Sequence, residues 1–498
     1  MRRLALLTTL ALLAVTPAAL AARVNFTIRG AGFGHGIGLS QYGAYGYAVH
    51  GADYRQIVLH YYKDTHFGNV GGRTIRVLLQ SGGRKVQFTA ATDAAGHKLD
   101  PAKRYRAVPQ GINQVELQTA RGKKIAVSDA PLVVSSSADS VILLGRAQNG
   151  TTSGQYRGTL ELRPGLFGGM MAVNALPLDD YIQGVVPGEV PSSWPPSALE
   201  AQAVVARSYS LVTDAGGALF DQYADTRSQM YTGMLRETPG TNAAVRDTSG
   251  QVVEYGNQVA TTYYFSTSGG ETENVENVFI GQAPVPYLKA VDDPYDSASP
   301  RHRWRFQWSQ GQLDRRLGGW VKGRLRGIKV LQRGVSPRIV QAQVVGTRGS
   351  TLVTGPQLRT RLGLFDTWAY FIAIKSGQQK DTGGGNTTTG TPPQDGQVTD
   401  GGGTTGPATT ASPGGARAAS VLSWLRTLLF PRPQRLILAG SVSPRPRHVT
   451  VQRLARERWL TFGRGRTDRR GRYALLMPRP GRYRVLANGA VGPVVRIR

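Results

Sequence analysis

The chain has 498 residues, with 60 Lys+Arg against 31 Asp+Glu for a net charge of +29, and it contains no cysteine. Disulfides are therefore excluded, and stability must come from core burial, which a chain of this length supplies in two or three domains. So large a positive excess calls for an acidic partner or a well-solvated basic face.

Residues 1–22, MRRLALLTTLALLAVTPAALAA, open on two arginines, continue through an apolar stretch and end on a small-residue Ala-Leu-Ala pattern. That is the layout of a secretory signal peptide, and it predicts a mature protein outside the cytoplasm, in the cell envelope or secreted. The apolar stretch is shorter than the roughly 20 residues that span a bilayer, and no later stretch is longer, so the chain is not expected to span a membrane. In that compartment anionic envelope polymers suit the positive charge better than nucleic acid, for which no binding motif is present.

The segment GFGHGIGLSQYGAYGYAVHG at 32–51 sets a histidine among glycines. A dinucleotide fingerprint G-x-G-x-x-G fails, since from Gly30, Gly32, Gly34 or Gly36 its last position falls on His35, Ile37, Leu39 or Gln41, and no Walker lysine follows. Metal binding would need further imidazoles at short spacing, whereas the seven histidines are scattered along the chain. Two readings stay open: a ligand loop whose glycines leave room beside His35, Ser40 and Gln41, or a structural turn with a hydrogen-bonded histidine.

Next, DYRQIVLHYY predicts a helix capped by Asp53 and Gln56. Residues 73–175 are turn-rich and strand-like. A longer helix is predicted from Ser197, with Ser197 and Glu200 as a capping box, Pro195 and Pro196 before it, and Leu199, Ala203, Ala206 and Ser210 on one face. Residues 252–290 return to strand and loop, so the body at 23–376 is a mixed α+β domain. The Gly/Thr/Pro-rich residues 377–417 cannot bury enough surface to fold and form a linker. Residues 418–498 follow, and their short alternating segments predict a small C-terminal antiparallel β-sandwich. Its residues 431–498 hold 17 arginines opposed by Glu457 and Asp468, a net +15. The stretch GRYALLMPRPGRYRV resembles carboxypeptidase-regulatory-like and bacterial immunoglobulin-like modules. The apolar VLSWLRTLLF before it reads equally as a strand or a surface helix.

Four stretches, GFGHGIGLSQYGA, LPLDDYIQGVVPGEVPSSWPPSALEAQAVVARSY, YFSTSGGETENVENVF and PYLKAVDDPYD, together resemble the stage II sporulation protein D and amidase enhancer (SpoIID/LytB) family. With TIRVLL, YRGTLELR and LRTRLGL the resemblance covers nearly all of 23–376. It implies a SpoIID-like mixed domain with a strand-rich insert, in a bacterial cell-wall protein that acts on peptidoglycan glycan strands. In the sporulation branch the implied activity is that of a lytic transglycosylase. In the enhancer branch the protein binds glycan and stimulates a separate cell-wall amidase. The order differs from the family's, where the GHG loop follows STSGG, so the chain reads as circularly permuted and TWAYFIAIK should lie beside FTIRGAGFGHG. Some relatives have histidine where Phe265 stands, or zinc-binding cysteines. Neither is present here, so no metal and no cofactor are carried over.

The resemblance makes Glu189 the catalytic glutamate, with Val186, Val190 and Trp194 near enough in sequence to desolvate it and raise its pKa. One acid suffices, because the muramyl 6-hydroxyl is itself the nucleophile. Arg207 either pairs with a buried carboxylate or meets a substrate carboxylate. Ser266, Thr267, Ser268 and Thr272 offer hydroxyls to sugars or cap a turn, and His35, Ser40 and Gln41 line the glycan groove beside Glu189. Asp179 and Asp180 cap or brace the following helix, and either is a fallback acid.

Overall fold

A computed structural model describes residues 24–165 and 168–375 and, towards the C-terminus, 436–441, 448–455, 458–466, 472–477, 481–487, 490–491 and 495–497. The signal-like residues 1–22, the linker 377–417 and VLSWLRTLLF lie outside the described residues.

The architecture mixes helix and strand, as the α+β reading requires. Residues 74–177 supply two large sheets, apart from the short strand Gln222–Tyr223 in the second. A six-stranded antiparallel sheet runs in the order Lys124–Asp129, Gln114–Thr119, Tyr105–Gln110, Val86–Thr89, Ser140–Arg146 and Thr152–Arg157. A second, seven-stranded sheet is built around Thr74–Gly83 and Met170–Pro177. The pleat sets the pattern, because successive side chains point to opposite faces. Val86 with Phe88, Val115 with Leu117 and Val141 with Leu143 are buried at every second position and share one core.

Four helices shape the rest of the site. Helix α1 (Gln41–Val49) starts at the N-cap Ser40, whose hydroxyl accepts from the N–H of Gly43. Helix α2 (Tyr54–Tyr61) carries the Asp53/Gln56 capping box that the spacing predicts. Helix α3 (Leu178–Glu189) was not visible in the periodicity, and α4 (Pro196–Val212) begins one residue earlier than expected. The Ser197/Glu200 box does not form: Pro195 is the N-cap and Pro196 opens the helix, so Ser197 already sits inside the first turn. Proline at that position has its φ preset and lacks one of the N–H groups a cap would satisfy. Helix α4 is buried on nearly all sides. Leu199, Ala203 and Ala206 face the strand-rich core, while Ala201, Val204 and Val205 face the core formed with α1 and α2.

A three-stranded antiparallel sheet places Val24–Ala31 between Arg303–Ser309 and Ala369–Lys375. Val24 stands opposite Lys375 and Gly30 opposite Ala369. The two segments that the permuted order requires as neighbours are thus directly hydrogen-bonded. Phe26, Ile28, Trp304 and Trp308 pack with Leu313 and Leu358 of two later helices into a separate core. In the C-terminal region Leu436–Ser441 pairs with Arg472–Met477, and His448–Ala455 lies between Arg458–Arg466 and Gly481–Ala487, all antiparallel.

Candidate functional site around Glu189

Two glycines one helical turn apart decide what can reach Glu189. Gly184 and Gly188 lie on one face of α3, where the chain at 230–233 runs against the helix. A Cβ on Gly188 would stand 2.1 Å from the Met230 carbonyl oxygen, and one on Gly184 would stand 2.5 Å from the Tyr231 ring. With no side chain in the way, the N–H of Met230 donates to Glu189 Oε1 at 2.7 Å.

The second approach comes from the glycine loop. Gly32, Gly34, Gly36 and Gly38 all have positive φ, at 80°, 143°, 85° and 73°, conformations that an L side chain resists. The resulting tight path delivers Leu39–Ser40 into a short parallel ladder with Tyr264–Phe265. Gln41, the next residue, and Tyr264 thereby arrive together, and both side chains hydrogen-bond the Glu189 carboxyl group. Behind them, Gln41 Nε2 donates to Gln202 of α4 at 3.3 Å. The Tyr264 hydroxyl accepts from Gln229 Nε2 at 3.0 Å, and Gln229 Oε1 accepts from Tyr181 at 2.9 Å.

Burial pushes the Glu189 carboxyl above its ordinary value, partly offset by the Met230 N–H, the Tyr264 hydroxyl and the Gln41 amide, which favour the carboxylate. These partners are neutral donors. The group is also the last residue of α3, where the helix dipole presents partial negative charge and works against ionisation.

Residues 167–255 match the model of the family described as stage II sporulation protein, SpoIID. The chain is 30% identical over 210 residues to the stage II sporulation protein D of Bacillus subtilis (strain 168), covering 39% of this chain and 60% of that protein. It is also 39% identical over 133 residues to the amidase enhancer of the same organism, covering 27% of this chain and 17% of that one. Over these residues the chain is similar to the SpoIID family. It spans 60% or less of the length of these relatives. The matched residues contain α3, α4 and the 230–233 segment, whereas the glycine loop and Tyr264 lie beyond them and reach Glu189 through the fold.

Several residues expected to touch substrate are engaged elsewhere. Arg207 is fully buried, donating from Nε to Asp179 at 2.7 Å and from its two terminal nitrogens to the carbonyls of Gln251 and Val245. Of its two readings the structural pairing is the one formed. Ser40 is fully buried as a helix cap and also accepts from the N–H of Ser268. Thr267 and Ser268 are buried and donate to Asp296, while Thr272 is buried against the backbone of Val291. Such hydroxyls are not free for sugars, because they are buried and tie the 267–272 stretch to Asp296 and Val291. Ser266 is half-buried, and its carbonyl accepts from the N–H of Tyr42.

His35 is held by backbone and aromatic contacts. Its Nδ1 accepts from the N–H of Ile37 at 3.0 Å, its ring bonds the backbone of Tyr264, and the rings of Tyr263, Phe265 and Phe279 surround it. Burial, with Arg359 and Arg338 adding positive charge, pushes its pKa down to about 3, so it is neutral at physiological pH. Of the loop residues, Gln41 alone bonds Glu189. Asp179 braces α4 through Arg207, and Asp180 is half-buried near Arg157 and Glu237. Sequence reasoning missed Tyr264, Gln229, Met230 and Gln202. Tyr264 opens the quoted YFSTSGGETENVENVF, but the stretch at 226–234 has neither periodicity nor motif to single it out.

Proposed function

We propose that this chain is a lytic transglycosylase of the cell envelope, cleaving the MurNAc-GlcNAc bond of peptidoglycan glycan strands with Glu189 as both acid and base. The observation that carries the reading is a half-buried carboxyl group, raised in pKa and held by neutral donors alone. In its acid form it donates a proton to the glycosidic oxygen as the C1–O bond breaks. The carboxylate left behind is stabilised by the Met230 N–H, Tyr264 and Gln41. It then removes the proton of the muramyl 6-hydroxyl, whose oxygen bonds to C1 and closes a 1,6-anhydro ring. Glu189 ends protonated, as it began. A hydrolytic glycosidase needs a second carboxylate to activate water or attack the sugar, and here the substrate's own hydroxyl takes that part. The signal-like sequence of residues 1–22 supports export, and the net +15 of residues 431–498 supports attraction to anionic wall polymers.

A second reading is favoured by the similarity to an amidase enhancer: the same site binds glycan without cutting it and stimulates a cell-wall amidase. Incubation of the purified chain with peptide-free glycan strands, followed by mass spectrometry, separates the two. Products with 1,6-anhydro-muramyl ends are expected. Their absence, together with faster release of stem peptides by an added amidase, would replace the enzyme with the enhancer.

A further inference from the structure

We infer that Tyr42, Tyr45 and Trp194 form a stacking wall for a pyranose ring of the glycan, directly beside Glu189. The inference rests on the glycan reading of the site and adds the side chains that grip the sugar, a task the buried hydroxyls at 267, 268 and 272 do not perform.

The three rings converge from both sides of the acid. Gln41, whose amide bonds Glu189, opens α1, and Tyr42 follows it. Tyr45, four residues after Gln41, lies on the same helix face one turn along. Trp194 is five residues beyond Glu189, in the proline-flanked segment VPSSWPP that joins α3 to α4. Its ring centroid lies 5.1 Å from that of Tyr42 and 5.1 Å from that of Tyr45. The cluster therefore bridges the two chain segments that meet at the carboxyl group.

On α1, exposure sets Tyr42 and Tyr45 apart from the residues that flank them, and Trp194 is likewise partly exposed. Ser40, Gln41, Gly43, Ala44 and Gly46 are buried, yet Tyr42, Tyr45 and Trp194 are only partly so. Buried tyrosine and tryptophan ordinarily place their O–H and N–H on a partner. Among the described residues none bonds the hydroxyls of Tyr42 and Tyr45 or accepts from the indole N–H of Trp194. An aromatic face carries negative charge density and attracts the C–H-rich face of a sugar ring. The free polar tips suit its hydroxyl and N-acetyl groups. Packing of Trp194 against the strand-rich core fixes the wall relative to Glu189.

The test uses the full chain and a peptide-free GlcNAc-MurNAc oligosaccharide, with affinity measured by calorimetry, KM and kcat by product formation, and melting temperature in parallel. Tyr45→Ala and Trp194→Ala should each weaken binding and raise KM about tenfold at little change in kcat, with Trp194→Phe retaining most of the affinity. If Trp194→Ala melts early, Tyr45→Ala and Trp194→Phe carry the decision. Wild-type affinity and KM in natively melting Tyr45→Ala and Trp194→Ala would overturn the wall and leave the transglycosylase reading intact. Weakened binding in these variants of a protein that forms no anhydro product would support the wall and remove the enzyme.

Discussion

In the first turn of α3, Asp179 faces the partial positive charge of the helix N-terminus and accepts from the buried guanidinium of Arg207 at 2.7 Å. At the last residue of the same helix, Glu189 faces the partial negative charge of the C-terminus and meets only neutral donors. The two carboxyl groups are chemically alike, and the helix direction sorts them. The N-terminal acid is matched to a fixed cation and serves as a brace between helices. The C-terminal acid is left raised in pKa and able to exchange a proton. On the proposed function, a helix that ends on an acid beside a desolvated surface makes one carboxyl group reactive while its neighbour a few turns away stays structural.

The widest gap between the two ends should appear in catalysis. Glu189→Gln keeps shape and hydrogen bonding but neither gives nor takes the proton, and loss of a general acid and base costs about 10² to 10⁴ in rate. With a single carboxyl group serving both steps, the loss should lie near the upper end, while oligosaccharide binding survives. Asp180→Asn, altered in the first turn of α3, should cost far less at equal folded fraction. Near-normal anhydro-product formation by Glu189→Gln, with abolition by Asp180→Asn, would assign the acid to the wrong end of the helix.

The structural end is tested by Arg207→Met, which fits a similar volume but leaves the carbonyls of Gln251 and Val245 unpaired and Asp179 without its cation. A loss of about 2 to 3 kcal/mol is expected in denaturant unfolding, because the guanidinium is buried whereas Asp179 is partly exposed and regains water. The KM of the folded fraction should not change. Native stability with a raised KM would instead mean that Arg207 meets the substrate.

How much of this was legible in the sequence depended on the kind of signal. The strands at 74–177 and helix α2 follow from side-chain period and a capping pair, both local. Helix α3 was hidden because Gly184, Pro187 and Gly188 read as helix breakers, although the glycines are there to admit the 230–233 backbone. The position of Glu189 followed from its surrounding motif. Its partners did not, since Tyr264 and Met230 reach it through pairing across long sequence separations. Between the two readings of the hydroxyls at 267, 268 and 272 the sequence could not choose, for a related reason: composition shows that a loop is polar, and only packing shows that its polar groups are already satisfied by Asp296 and the backbone.

The finest distinction lies in how the reactive end is tuned, and Tyr264→Phe addresses it. The substitution removes one hydroxyl that favours the carboxylate and deprives Gln229 of an acceptor, so a stability cost of about 1 kcal/mol is expected. With one donor fewer, the pKa of Glu189 should move further upward. Chemistry begins from the protonated acid, so activity falls as pH rises through that pKa, and in Tyr264→Phe the alkaline limb of kcat/KM should shift to higher pH. The maximal rate should fall only a few-fold, because two donors still support the carboxylate. Stability carries the same sign. A folded pKa above the ordinary 4.5 contributes stability that is fully present below 4.5 and lost as pH rises through the folded value. That loss should occur at higher pH in Tyr264→Phe and be absent in Glu189→Gln. An alkaline limb that stays in place in Tyr264→Phe, or moves to lower pH, would show that neutral donors do not tune Glu189 and that the contrast between the helix ends has another cause.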